Sequence, residues 1–151
     1  MGDVYFPAAI DPVDWIVVFR PTSASWLVRT FVPGRFKHVS AFAYLPGLKV
    51  WVTYDVGFDG TKIVVIPDGP QVNTVLAPWL ADCTLVRMKR KCAARSSIAL
   101  FGWCAPSIAR LIGLSGGTLR PMALYHHCLR NGGVIIGQER TINYAAATAA
   151  G

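Results

Sequence analysis

The chemistry in this sequence centres on Cys104, which lies at the start of the run WCAPSIARLIGL at residues 103–114. Proline has no amide proton and favours the first turn of a helix, so Pro106 predicts a helix that begins at or beside Cys104. A helix N-terminus stabilises a thiolate, and its unpaired amide groups can stabilise an oxyanion. This position favours a nucleophilic cysteine that attacks a carbonyl group.

A thiol nucleophile also needs a base, and His38 in the segment FKHVSAF is the candidate. On the next predicted strand, KVWVTYDV, Thr53 and Asp55 share one face because side chains alternate along a strand. Either residue could orient the imidazole of His38. Spacing alone does not choose between them, although Asp55 is the better partner for a charged ring.

The elements that must position these residues are those of an α+β domain with a small antiparallel sheet. Runs rich in β-branched and aromatic residues predict strands, and three consecutive runs separated by turn residues form an antiparallel meander. The element order predicts a sheet packed by helices on one side. The predicted strands cover 14–20, 36–45, 49–56, 61–67 and 84–94, and the predicted helices lie within 21–34, 71–83, 105–114 and 120–133.

The length of 151 residues is typical of one domain, which we expect over residues 1–140, followed by a flexible or partner-ordered tail at 141–151. Hydrophobic residues make up 53% of the chain and charged residues 15%, so much of it must be buried against itself or against neighbouring subunits. No apolar run approaches the length of a membrane span, and the first residues do not resemble a signal peptide.

The other three cysteines, Cys83, Cys92 and Cys128, lack the paired spacing of a zinc site and are expected to be core or surface thiols. The sequence His126-His127-Cys128 suggests a metal site at first sight. Adjacent helical residues point about 100° apart, however, so the three side chains would not converge on one ion. We expect neither a metal nor another cofactor.

The net charge of +7 is concentrated in the basic segment 87–95, which contains Arg87, Lys89, Arg90, Lys91 and Arg95. On a strand, Arg87, Lys89 and Lys91 would share one face, opposite Met88 and Arg90. One interpretation is a solvated edge strand that positive charge protects from unwanted pairing. The alternative is a weak contact with DNA or with another acidic partner.

The order of FKHVSAFAY, KVWVTYD, WCAPSIARLIGL and LRPMALYHHCLRNGG resembles the circularly permuted form of the NlpC-type, papain-like cysteine peptidases. In that lineage the histidine strand precedes the cysteine helix. The resemblance covers roughly residues 14–133. It implies that Cys104 is the nucleophile, His38 the base and Asp55 the orienting residue, a position at which this chain lacks the usual His, Asn or Gln.

The resemblance also implies a function and a setting, because small proteins of this kind are common in bacteriophages. It predicts a phage-encoded cysteine hydrolase that cleaves peptide or amide bonds of peptidoglycan and is associated with the virion, or with the host cytoplasm before assembly. Other tail or neck proteins would be its partners. The alternatives are an inactive virion or tail structural protein with the same fold and, as a third option, an enzyme of lipid acyl transfer.

Overall fold

The computed structural model describes residues 14–23, 30, 32–57, 59–91, 103–115 and 118–138. Half of the segment 21–34, in which a helix is predicted, lies outside these residues. So do Cys92, Arg95 and the predicted tail at 141–151. The described part of the chain contains the three residues of the predicted site.

The chain forms a six-stranded antiparallel sheet with the strand order β4-β3-β2-β1-β5-β6. The predicted meander is present, since β2, β3 and β4 pair consecutively along the chain. The α+β class is therefore confirmed. The strands are β1 Asp14–Arg20, β2 His38–Leu45, β3 Val50–Gly57, β4 Gly60–Pro67, β5 Thr84–Lys89 and β6 Val134–Gln138.

The described helices are α1 Gln71–Leu80, α2 Cys104–Leu111 and α3 Pro121–Arg130. Cys104 and Pro121 are the first residues of their helices, as the proline positions predict. Helices α2 and α3 each end at a left-handed glycine, where the following amide bonds back into the last turn. None of the helices in the described ranges is long and apolar enough to cross a membrane.

The glycine after α2, Gly113, has a φ of +75° and also touches another element. A Cβ atom there would lie 2.0 Å from the carbonyl oxygen of Lys91, just beyond β5. The amide of Lys91 in turn donates to the carbonyl of Ile112 at 3.1 Å. Gly113 is required both for the turn and for the close approach of α2 to the end of β5.

Helices cover both faces of the sheet, so the prediction of helices on one side is wrong. Alternate residues of β1 and β2 face opposite ways, and the two sets pack against different helices. One face packs against α2 and α3 through Val17, Phe19, Val39, Ala41, Ile108 and Leu124. The other packs against α1 through Val18, Phe42, Trp51, Val72, Leu76 and Leu80.

Strand β5 contains the first three residues of the basic segment and lies inside the sheet. The interpretation of this segment as an edge strand is therefore wrong. Strand β6, which no sequence pattern predicted, pairs with β5, so β4 and β6 are the outer strands among those in the described residues. Met88 is buried while Arg87 and Lys89 are exposed, which confirms the predicted alternation. The basic side chains on β5 therefore lie on a sheet face and do not protect an edge.

Candidate active site

Two neighbouring strands bring His38 and Asp55 together. His38 is the first residue of β2, and the pairing of Ser40 with Asp55 places the carboxylate of β3 on the same face. The Nε2 atom of His38 donates a hydrogen bond to Oδ1 of Asp55 at 2.6 Å. Thr53 pairs further along the strand, opposite Phe42. Of the two orienting residues considered, Asp55 therefore makes the contact with the ring.

The thiol of Cys104 lies close enough to the same ring to affect its charge through hydrogen bonding and electrostatic attraction. Because Nε2 is engaged by Asp55, Nδ1 is the ring nitrogen that remains for the thiol. His38 and Cys104 are each the first residue of their element, so the contact lies where a strand and a helix begin. His38 thus links the three predicted site residues into one cluster, through its hydrogen bond to Asp55 and its electrostatic interaction with Cys104.

Electrostatics in this cluster favours a charged imidazole. Burial lowers the pKa of His38, but the hydrogen bond to Asp55 and the interactions with Cys104 outweigh burial and raise the pKa to about 9. Burial raises the pKa of Asp55, whereas the hydrogen bond from His38 and the charges of His38, Arg20 and Lys62 outweigh it and lower the pKa. His38 is therefore an imidazolium and Asp55 a carboxylate at neutral pH.

The N-terminus of α2 provides two further features beside the thiol. The first helical hydrogen bond runs from the amide of Ser107 to the carbonyl of Trp103, and Pro106 has no amide proton. The amides of Cys104 and Ala105 therefore have no partner within the helix and are suited to an oxyanion. Trp103 is 53% exposed next to the half-buried Cys104, so a large aromatic surface lies beside the nucleophile.

The other described thiols lie outside this cluster. Cys128 is fully buried in α3, and burial raises its pKa to about 12. Cys83 is also buried, and burial raises its pKa despite the nearby charge of Arg20. Next to Cys128, His126 is exposed, so these neighbouring side chains diverge. Across the described ranges, no group of three or more His, Cys, Asp or Glu side chains could hold a metal ion.

Sequence reasoning missed Arg20, the last residue of β1, which pairs with His38 in the sheet. Its Nη1 atom lies 3.9 Å from Oδ2 of Asp55, on the oxygen that His38 does not use. The available signal was the position of an arginine at the end of the strand before the histidine. A cleft of about 380 Å³ lies beside Arg20 and Trp79, and neither Cys104 nor His38 lines it.

The chain matches no protein-family model, no curated protein and no solved structure. The resemblance to permuted NlpC-type peptidases therefore depends on the sequence motifs and their order. The architecture is a six-stranded antiparallel sheet with helices, an α+β fold. The circular permutation, and the catalytic roles that the resemblance implies, stay predictions.

Proposed function

We propose that the protein is a cysteine hydrolase that cleaves an amide bond in the peptide part of peptidoglycan. The observation that carries this proposal is the cluster of Cys104, His38 and Asp55, with the thiol at a helix N-terminus and the imidazole bonded to a carboxylate. A nucleophile, a base and a group that orients the base are the parts that covalent acyl transfer requires. The substrate class comes from the sequence resemblance.

The charged ring of His38 suits a mechanism in which a thiolate attacks beside an imidazolium. The thiolate of Cys104 attacks the amide carbonyl, and the amides of Cys104 and Ala105 stabilise the resulting oxyanion. The imidazolium of His38 gives its proton to the leaving amine as the C–N bond breaks. Water then attacks the thioester and gives a proton to the imidazole of His38. As the C–S bond breaks, the carboxylic acid is released, and the thiolate of Cys104 and the imidazolium of His38 form again. Asp55 holds the ring in place through both steps.

The test is the digestion of purified peptidoglycan, followed by measurement of newly released amino groups. Cys104→Ala and Cys104→Ser should each lower the rate on the order of 10³-fold or more, because the covalent step is lost. Cys128→Ala is the matched control, since it removes a thiol that is fully buried in α3. Equal digestion by the wild type and Cys104→Ala would overturn the proposal, provided that their circular dichroism spectra agree.

A virion location belongs to the same proposal, together with a contact between the basic segment and an anionic partner. Arg87 and Lys89 are exposed on β5, whereas Nζ of Lys91 donates to the side-chain oxygen of Asn131 at 2.9 Å. The two exposed residues would attract DNA or acidic wall peptides. The double variant Arg87→Gln and Lys89→Gln should weaken DNA binding and its salt dependence. An unchanged salt slope would exclude this contact.

The second candidate is a structural protein of the virion or tail, and the outer strands favour it. Both are apolar and exposed, with Ile63, Val64 and Val65 on β4 and Val134, Ile135 and Ile136 on β6. Exposed apolar edge strands favour pairing with another chain. Mass spectrometry of purified phage particles would find the protein in fixed stoichiometry if this role holds. Its absence from particles would exclude both the structural role and the virion location of the hydrolase, and the digestion assay would then decide the hydrolase activity alone.

A further inference from the structure

Arg20 completes the environment of the Asp55 carboxylate. His38 binds Oδ1 of Asp55 at 2.6 Å, and Nη1 of Arg20 lies 3.9 Å from Oδ2. The two basic groups therefore occupy different oxygens of one carboxylate. A carboxylate held from both sides has less freedom to rotate than one that is held by the histidine alone.

The guanidinium of Arg20 also contacts a helix on the other face of the sheet, the face that α2 does not cover. Its central carbon lies 4.5 Å from the ring centroid of Trp79 on α1, which is a cation–π contact. Trp79 in turn packs edge-on against the buried Phe42 of β2, with ring centroids 6.1 Å apart. The contact with Trp79, which the buried Phe42 supports, thus helps to set the position of Arg20.

Burial strengthens the dependence of Arg20 on Asp55. The Nε and Nη2 atoms of Arg20 are shielded from solvent and have no oxygen or nitrogen acceptor in the described part of the chain, where the thiol of Cys83 is the other group that interacts with this side chain. A shielded guanidinium is stabilised mainly by the nearest negative charge, and that charge is Asp55. The attraction acts in both directions and keeps the carboxylate ionised and in place.

We propose that Arg20 is a positioning residue for the candidate active site, and that Trp79 holds its guanidinium against Asp55. Arg20 touches neither the thiol nor the substrate in this scheme. It acts through Asp55, which orients the ring of His38 toward Cys104. This role rests on the proposed hydrolase function, although its first effect, on the ionisation of His38, is measurable without any substrate.

The decisive variant is Arg20→Met, which removes the charge and keeps an apolar stem beside Trp79. Loss of a nearby positive charge alone would leave the pKa of His38 unchanged or raise it. Loss of positioning weakens the hydrogen bond to Asp55 and lowers that pKa, by about one unit. An NMR titration of the His38 ring therefore separates the two effects. An unchanged or higher pKa in Arg20→Met would overturn the proposal.

Lys62 gives a matched charge control. It also lowers the pKa of Asp55 through its charge and pairs with Asp55 in the sheet, but it is exposed and bonded to Asp59. Lys62→Met should leave the His38 titration and peptidoglycan digestion unchanged. A drop in the pKa of His38 equal to that of Arg20→Met would show that the effect does not depend on the contacts of Arg20 with Asp55 and Trp79, and would contradict a positioning role for Arg20.

Two further variants keep the test decisive if Arg20→Met does not fold. Trp79→Leu leaves the arginine but removes its stacking partner, so it should also lower the pKa of His38, whereas Trp79→Phe should restore it. In digestion assays, Arg20→Met should lower kcat about tenfold with KM unchanged, and Arg20→Lys should recover part of the loss. If no variant, nor the wild type, digests peptidoglycan, the hydrolase proposal fails, while the His38 titrations still decide the role of Arg20.

Discussion

Cys104 and Cys128 lie on neighbouring helices that pack on the same sheet face, yet their surroundings are opposite in character. Cys104 is half-buried at the first residue of α2 and interacts with His38. Cys128 is fully buried near the end of α3, where burial raises its pKa to about 12. Cys104 therefore has a charged neighbour and is partly exposed to solvent. Cys128 has no charged neighbour that shifts its pKa and no contact with solvent.

The comparison of Cys104 with Cys128 shows that the position within a helix and the nearest charge determine the environment of a cysteine thiol. A thiol near the end of α3 faces the C-terminal half of the helix and the apolar core, where a thiolate is unfavourable. A thiol at the start of α2 faces unpaired amides and an imidazolium. The same side chain therefore serves packing in one place and could serve as a nucleophile in the other.

The largest expected effect is the contrast in alkylation between the two thiols. At pH 7 we expect iodoacetamide to modify Cys104 at least about 10³ times faster than Cys128, since Cys128 reacts only when the native structure opens. Mass spectrometry of tryptic peptides after timed quenching measures both rates in one sample. Similar rates for the two thiols would show that the Cys104 site is closed or uncharged.

A second experiment removes the imidazole of His38 from the surroundings of Cys104. His38→Gln should slow alkylation of Cys104 at pH 6–7 about 10²-fold, because the sulfur loses the neighbouring imidazolium. Alkylation of Cys128 should stay as slow as in the wild type, which also controls for loss of folding. If Cys104 reacted equally fast in His38→Gln and wild type, the ion pair would be excluded.

The stability of the site should depend on pH. His38 has its pKa raised from 6.5 to about 9 by folding, so the stabilisation from its protonated form is complete below pH 6.5 and disappears as pH rises through about 9. The difference in unfolding free energy between wild type and His38→Gln should fall by about 3 kcal/mol from pH 6 to pH 9.5. Urea titrations at several pH values measure it, and a constant difference would contradict the charge assignment.

The smallest expected effect belongs to the buried thiol. Cys128→Ala removes one sulfur atom from the core and should lower the unfolding free energy by about 1 kcal/mol, with peptidoglycan digestion unchanged. Because no charge is involved, this loss should be equal at pH 6 and pH 8. A loss of activity in a fully folded Cys128→Ala would show that the two thiols are coupled.

Much of the fold could be predicted from local signals in the sequence. The β-branched runs of the meander, Pro106 in the first turn of α2, and Gly113 after its last turn each act within a few residues. The sheet face that each helix covers could not be predicted, because the placement of α1 depends on long-range packing against Phe42 and Trp51. Strand β6 was missed since its five residues follow a helix end and carry no alternating pattern.

Local signals in the sequence also predicted part of the candidate site. Cys104 and His38 stood out by residue type and element position, and strand alternation reduced the orienting residue to Thr53 or Asp55. The choice of Asp55 required the register of β2 against β3, which pairs Ser40 with Asp55. Arg20 was not predicted, because its contact with Asp55 reaches from β1 to β3 across β2 and because its position depends on Trp79.

The most direct test of the central claim is the detection of the covalent intermediate on Cys104. The protein is incubated with purified peptidoglycan stem peptides, quenched in acid after less than one turnover, and digested for mass spectrometry. The account predicts a thioester that joins the acyl part of the stem peptide to Cys104, and no such adduct on Cys128. Release of new amino groups with Cys104 unmodified, or by Cys104→Ala at the wild-type rate, would contradict it.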